Sequence, residues 1–225
     1  DCRAVTNTGL AHLSKLKNLR TLSLRSTQVD DKGLAVLSQS LTLETLILEF
    51  TRVRGTGLVH LAQLPKLAVL SLNPNRNTAD KTQIDLSPLA KGFTSLKALR
   101  VGGNNLTDAH IASVGRVKNL QILTFRTLGF TKFTDAGLAP LGHLVNLQEL
   151  RINGSTKVSD AGVVHLADLQ KLQKLDLGRT SISSACATTL GKLPTLKELE
   201  VVGSRFGPDG IQALRNLNPK VKVTL

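Results

Sequence analysis

The chain has 225 residues, of which 41% are hydrophobic and 20% are charged, and its formal net charge is +13. This apolar content excludes a disordered chain, and because no apolar run approaches about 18 residues, the sequence predicts no transmembrane helix. Leucine occurs 43 times, whereas Trp, Tyr and Met are absent, so the composition suggests repetition. The chain begins at Asp1 without an initiator Met or an apolar signal segment, and we expect a mature form or an excised fragment. The sequence indicates no compartment.

The predicted elements begin with a half repeat over residues 1–18 and continue as a series of repeats. The pattern Leu-x-x-Leu-x-Leu starts at Leu19, Leu43, Leu67, Leu96, Leu120, Leu147, Leu172 and Leu196. A terminal strand is predicted over residues 220–225. Because each repeat can bury its Leu face only against its neighbours, we expect one domain over residues 1–225.

Each repeat combines two spacings that predict two kinds of secondary structure. The last two Leu residues of Leu-x-x-Leu-x-Leu lie two positions apart, which is the spacing of one face of a strand. The later Gly-Leu-x-x-Leu-x-x-Leu segment has a spacing of three, which predicts a short α-helix or 3₁₀ helix. Helix N-caps are predicted at Thr107, Thr134, Ser159 and Ser183.

With these repeats the chain resembles the leucine-rich repeat family over essentially its whole length. The 24-residue form with Thr-x-Val-x-Asp-x-Gly-Leu is similar to bacterial leucine-rich repeat proteins and to the repeats of F-box-type ubiquitin-ligase receptors. The resemblance implies an α/β fold, a right-handed solenoid or horseshoe with a parallel sheet on its concave side and short helices on its convex side. It does not identify a partner.

The columns between the Leu residues are predicted to form the binding surface. Arg100, Arg126 and Arg151 fall on three consecutive strands, where their guanidinium groups could grip an acidic segment. Asn73 and Asn153 flank these arginines and offer hydrogen-bond donors and acceptors. Arg25 and Glu49 occupy the same column as Arg126 and complete the polar part of the predicted site. The alternative is a solvated ladder of ion pairs, such as Arg151 beside Asp176.

Insertions lengthen three repeats on one predicted edge, at 75–83, 127–132 and near 155–157. Repeat proteins often bind through the face that carries their insertions. Phe50 and Phe130 are the aromatic residues expected to be exposed, and an exposed aromatic beside arginines is typical of an interface hot spot. Phe130 has a second interpretation, in which it folds back and packs against the core.

Charges are predicted to segregate along the helices. Many bases fall at helix C-termini and many acids at helix N-termini, as the helix dipole favours. We therefore expect one basic edge and one acidic edge. The excess of bases creates a positive field that favours acidic partners. Nucleic acid is disfavoured, because Trp and Tyr are absent and no nucleic-acid motif occurs.

No catalytic, metal-binding or cofactor motif occurs in the sequence. His12, His60 and His165 share one column in non-adjacent repeats, and we do not expect them to converge on a metal. The sequence therefore predicts a non-enzymatic interaction module, without a cofactor, that binds an acidic protein or peptide on its concave face and inserted edge. Two alternatives remain: a charge-driven binder of polyanionic glycans or cell-surface polymers, and a substrate-recognition arm of a larger ubiquitin-ligase-like or effector protein.

Overall fold

A computed structural model describes residues 2–74, 84–103, 105–126 and 131–225. The chain divides into two compact units, Asp1–Gly103 and Asn104–Leu225. Among the described residues, no helix combines the length and the apolar character needed to cross a membrane.

The described residues of the first unit form four parallel strands, which pair with one another in chain order. The strands are β1 (Thr21–Ser23), β2 (Thr45–Thr51), β3 (Val69–Pro74) and β4 (Ala98–Gly102). The helices are α1 (Asn7–Leu10), α2 (Asp31–Leu37) and the 3₁₀ helices Leu13–Lys15, Thr56–His60 and Ser87–Lys91.

In the second unit, the part of the chain that the structure describes forms five parallel strands in chain order. The strands are β5 (Ile122–Arg126), β6 (Glu149–Arg151), β7 (Lys174–Asp176), β8 (Glu198–Glu200) and β9 (Lys222–Thr224). The α-helices are α3 (Asp108–Val114), α4 (Asp135–Leu138), α5 (Asp160–Val163), α6 (Ala187–Gly191) and α7 (Pro208–Leu217). The 3₁₀ helices are Ala139–His143, Val164–Leu166 and Ser184–Cys186.

Within each unit, equivalent residues of successive repeats are strand partners. Leu22 pairs with Leu46 in the first unit, and Leu123 pairs with Leu150 in the second. Leu46, Leu123 and Leu150 are fully buried. Thr107, Thr134, Ser159 and Ser183 are the N-caps of helices, and β9 lies within residues 220–225.

A Thr column closes the turn that follows several strands. The hydroxyl groups of Thr27, Thr51 and Thr180 donate to the carbonyl oxygens three residues earlier, at 2.7, 2.8 and 2.6 Å. All three residues are buried. Thr suits this position because a buried hydroxyl needs a partner, and the turn provides a carbonyl oxygen at the right distance.

An Asp column links each repeat to the next one. Asp135 accepts hydrogen bonds from the backbone N–H and the hydroxyl of Ser159, both at 2.6 Å. Asp160 accepts the same pair from Ser183, at 2.7 and 2.6 Å, and Asp108 does so from Thr134. Each carboxylate therefore satisfies the start of the helix in the following repeat.

The Gly in the repeated Asp-x-Gly sequence makes room for that carboxylate. A Cβ atom on Gly162 would lie 2.5 Å from Oδ1 of Asp135, and a Cβ atom on Gly137 would collide with Oδ1 of Asp108. A side chain at either position would push the neighbouring carboxylate away from its donors. The Asp-x-Gly sequence therefore indicates a contact between successive repeats as well as the start of a helix.

Candidate partner-binding site

In the first unit, Arg25, Glu49 and Phe50 form a group at the ends of β1 and β2. The Arg25 guanidinium lies over the Phe50 ring, 5.1 Å from its centre, and Nη1 lies 3.4 Å from Oε2 of Glu49. Ser71 donates to Oε1 of Glu49 at 2.8 Å. The Arg25 side chain remains 58% exposed, whereas the Glu49 side chain is 9% exposed. The buried carboxylate thus holds an exposed guanidinium on an aromatic ring.

The backbone of Phe50 explains how its ring leaves the strand. Its φ angle is +58°, and the pairing of β2 with β3 shifts register between Glu49 and Thr51. A bulky residue with positive φ is rare, because its Cβ crowds the backbone. The surrounding repeats hold Phe50 in this conformation, in which it is half-buried beneath Arg25.

The first unit corrects the expectation that the whole column of Arg25 is exposed. Counted over the whole residue, the exposed fraction is only 7% for Glu49 and 6% for Asn73. Glu49 accepts from Ser71 on the neighbouring strand, and Asn73 packs against the space left by Gly102, where a Cβ atom would collide with its amide. Arg100, on the neighbouring strand β4, is half-exposed. Arg25, Phe50 and Arg100 therefore offer the accessible part of the predicted site in this unit.

In the second unit, the predicted site residues that the structure describes are Arg126, Arg151 and Asn153. Arg126 is exposed at the end of β5. Nε of Arg151 donates to Oε1 of Glu149 at 2.6 Å, and this contact raises the pKa of the guanidinium. Asn153 donates to Asp176 at 3.4 Å. Arg151 therefore pairs with Glu149, not with Asp176 as the ion-pair alternative supposed, although Asp176 is its partner in strand register.

The exposed sheet face of the second unit carries balanced charge. Its bases are Arg126, Arg151, Lys174 and Lys222, and its acids are Glu149, Asp176, Glu198 and Glu200. Lys174 and Glu198 form an ion pair at 2.9 Å. A shallow depression of about 230 Å³ lies over β6–β9 and is lined by members of both sets. The net charge of this face is therefore small, because its four bases are matched by four acids.

Two predicted features lie outside the described residues. Phe130 is one of them, and the insertion over residues 75–83 is the other. Of the second insertion, only Thr131 and Lys132 are described: Thr131 is buried and Lys132 is exposed.

Comparisons with known proteins agree with the repeat architecture. A family model described as leucine-rich repeat matches residues 15–38 and 192–214. The chain is similar to internalin C2 from Listeria monocytogenes, with 26% identity and a TM-score of 0.65 over 98% of this chain and 84% of that one. The molecule is a leucine-rich repeat protein.

Two further solved structures share the fold of this leucine-rich repeat protein. One is an internalin, InlF, from Listeria monocytogenes, with 24% identity and a TM-score of 0.60 over 95% of this chain and 69% of that one. The other is a leucine-rich repeat protein from Leptospira interrogans, with 19% identity and a TM-score of 0.52 over 96% of this chain and 62% of that one. The predicted fold class is confirmed. A sequence comparison with curated proteins gives no match.

The described part of this leucine-rich repeat protein contains no group of three or more His, Cys, Asp or Glu residues placed to hold a metal ion. Cys2 is exposed and Cys186 is buried, and both are free thiols. Burial, followed by the nearby charge of Asp160, raises the pKa of the Cys186 thiol. This thiol therefore stays protonated at neutral pH, where a nucleophile would need to be a thiolate.

Sequence reasoning missed the role of the Asp column in this leucine-rich repeat protein. It assigned Asp108, Asp135 and Asp160 to the helix dipole, whereas their oxygens bind the next repeat. The signal was present: a Ser or Thr precedes each Asp at the predicted N-cap, and a Gly or Cys follows in most repeats. Cys186 stands in this Gly column beside Asp160, which explains the contact between the two side chains.

Proposed function

We propose that this leucine-rich repeat protein is a non-enzymatic module that binds a protein or peptide on the exposed face of its sheet. The observation that carries the proposal is the Arg25–Phe50 stack, which is fixed from below by the buried carboxylate of Glu49. Aromatic and arginine residues are enriched in the centres of protein interfaces. A side chain that is already ordered also loses less conformational entropy when a partner binds.

The partner is acidic in the segment that contacts the arginines. Arg25 and Arg100 are accessible in the first unit, and Arg126 and Arg151 in the second. A guanidinium can bind a carboxylate through two parallel hydrogen bonds, which supports recognition of Asp and Glu side chains. The acids of β7 and β8 would limit how acidic the rest of the partner can be, because like charges facing each other across an interface are unfavourable.

A library of random displayed peptides, selected on the wild-type protein, tests this proposal. We expect the selected peptides to be enriched in Asp and Glu. Their affinities are then measured by fluorescence anisotropy against two variants, Arg25→Gln with Arg100→Gln, and Arg126→Gln with Arg151→Gln. At least one variant should bind at least tenfold more weakly, as is typical when a central interface residue is removed.

A matched control removes the same charge elsewhere. Lys192 and Lys220 are exposed and lie near the starts of β8 and β9, away from the sheet face, so Lys192→Gln with Lys220→Gln should leave the affinity within about twofold, the effect expected of a rim charge. Selected peptides without acidic enrichment would contradict the acidic partner. Equal binding by all variants would contradict the sheet face as the site.

A further inference from the structure

Four exposed bases follow the strand ends of the second unit. Lys132, Lys157, Arg179 and Arg205 lie on four consecutive repeats, each in the loop between a strand and the next helix, and we call them the basic ridge. Within the described ranges, none of these four side chains forms a hydrogen bond or an ion pair. The ridge lies beside the sheet face proposed above and shares no residue with it.

Backbone hydrogen bonds hold the loops of Lys157, Arg179 and Arg205 in a regular stack. The N–H of Gly154 donates to the carbonyl oxygen of Gly178 at 2.9 Å, and that of Arg179 donates to Val202 at 2.7 Å. Further along these loops, Arg205 donates to Ile182 at 3.0 Å. Neighbouring loops therefore continue the strand ladder, which spaces them by about 4.8 Å.

Arg179 is oriented by the glycine of the next loop. A Cβ atom on Gly203 would lie 3.2 Å from Cγ of Arg179, so the stem of the arginine lies close to the position where a side chain would stand. This stem extends toward the repeat that carries Arg205. Arg179 itself adopts a φ angle of +52°. Its side chain therefore does not follow the alternation of side chains between the two faces of a strand.

The acids on this edge do not neutralise the ridge by direct pairing. Asp108, Asp135 and Asp160 each direct both oxygens at the N–H and hydroxyl groups of the next repeat. Asp209 is exposed in the first turn of α7. The edge expected to be acidic therefore carries four exposed bases in this unit as well, and three of its acids are structural acceptors.

From this arrangement we propose that the basic ridge binds an extended sulfated or otherwise polyanionic polysaccharide. Four bases over three loop spacings place positive charge along about 14 Å of surface. A polysaccharide of this class carries sulfate and carboxylate groups on successive rings, and therefore presents a dense line of negative charge to such a row.

Two other polyanions fit less well. Successive side chains of an extended acidic peptide alternate between faces, so carboxylates on the same face lie about 6.8 Å apart and do not match the spacing of the loops. Single-stranded nucleic acid uses exposed aromatic side chains for base stacking. Phe125, Phe133 and Phe206, the aromatic residues that the structure describes in this unit, are buried.

Heparin, used as the polyanionic probe, tests the ridge. The ridge variant combines Lys132→Gln, Lys157→Gln, Arg179→Asn and Arg205→Gln, with Asn at position 179 because it tolerates positive φ. We expect its affinity for heparin, measured by titration near 100 mM salt, to fall at least tenfold. The dependence of log affinity on log salt should flatten by roughly one for each charge removed. Unfolding curves of each variant show that the fold is retained.

The control variant removes four exposed bases from the opposite ends of the strands in the same unit, namely Arg116→Gln, Lys192→Gln, Arg215→Gln and Lys220→Gln. It has the same net charge as the ridge variant and should bind heparin within about twofold of the wild type if the local array matters more than the overall field. Equal losses in both variants, or no loss in the ridge variant, would overturn the proposal. Poly-glutamate binding the ridge as tightly as heparin would overturn the assignment to a polysaccharide.

Discussion

Asp135 and Glu198 are both acidic side chains near the surface of the second unit, but they make different kinds of contact. Asp135 accepts from the backbone and the hydroxyl of Ser159 in the next repeat, whereas Glu198 pairs with the exposed Lys174 across two strands. Both donors of Asp135 belong to Ser159, whose backbone is fixed at the start of α5. The side chain of Lys174 is flexible and hydrated, and it must lose this freedom to form the ion pair. The comparison teaches that the rigidity of the partner decides what an acid contributes to the fold.

The energies expected for the two kinds of contact differ accordingly. A hydrogen bond to a charged group contributes about 1.5–3 kcal/mol, and an N–H left without an acceptor adds a desolvation cost. An exposed ion pair contributes little, because solvent and salt screen it and both side chains lose entropy. Asp135 should therefore matter for stability, and Glu198 should not.

The largest expected effect comes from Asp135→Ala. The change removes two charge-assisted hydrogen bonds at the start of α5, and we expect the free energy of unfolding to fall by about 2–3 kcal/mol. Urea titration followed by circular dichroism measures it. Glu198→Ala is the matched control, and its unfolding midpoint should stay where it is in the wild type. Similar losses of unfolding free energy in the two variants would contradict the different roles assigned to Asp135 and Glu198.

Gly162→Ala should give a smaller but related loss. Its Cβ atom would lie 2.5 Å from Oδ1 of Asp135 and would displace that carboxylate. We expect a cost of about 1–3 kcal/mol, typical of overpacking. The double variant with Asp135→Ala should lose less than the sum of the two single changes, since both act on one contact. Additive losses in the same urea titration would show that Gly162 acts independently of Asp135.

The smallest effect concerns the pKa of Glu198. The hydrogen bond from Lys174 holds this pKa below its ordinary value, so Lys174→Gln should raise it, and Lys192→Gln should leave it unchanged. Because the folded-state pKa is the lower one, the small contribution of this exposed pair to stability is present above the ordinary carboxyl range and disappears as pH falls through the folded-state pKa. NMR titration of the carboxyl carbon reports the change. An unchanged pKa in the Lys174 variant would contradict the assigned cause.

The sequence predicts most of the fold, because the Leu columns are core positions that only one register can bury. Leu123 and Leu150 illustrate this, since both are predicted as core residues and both are fully buried strand partners. The helices were also predictable, because Ser159 and Thr134 carry cap signals that act within a few residues.

The candidate site was less predictable, because it depends on side-chain contacts between repeats. Column position placed Glu49 among the exposed residues, but its side chain is buried where it accepts from Ser71 and pairs with Arg25. Strand register placed Arg151 beside Asp176, but Glu149 on the same strand lies in better reach. A long polar side chain can reach several neighbours, and the repeat pattern in the sequence does not show which of them it contacts.

The Asp column also gives the stack a polarity. Each carboxylate reaches from an earlier repeat to a later one, as Asp108 does to Thr134 and Asp135 does to Ser159. Removing a later repeat leaves a carboxylate that water can solvate readily. Removing an earlier repeat leaves the N–H groups of a helix start without their acceptor. Shortening the second unit from its N-terminal side should therefore cost more stability per repeat than shortening it from its C-terminal side, even though the Leu core lost is the same.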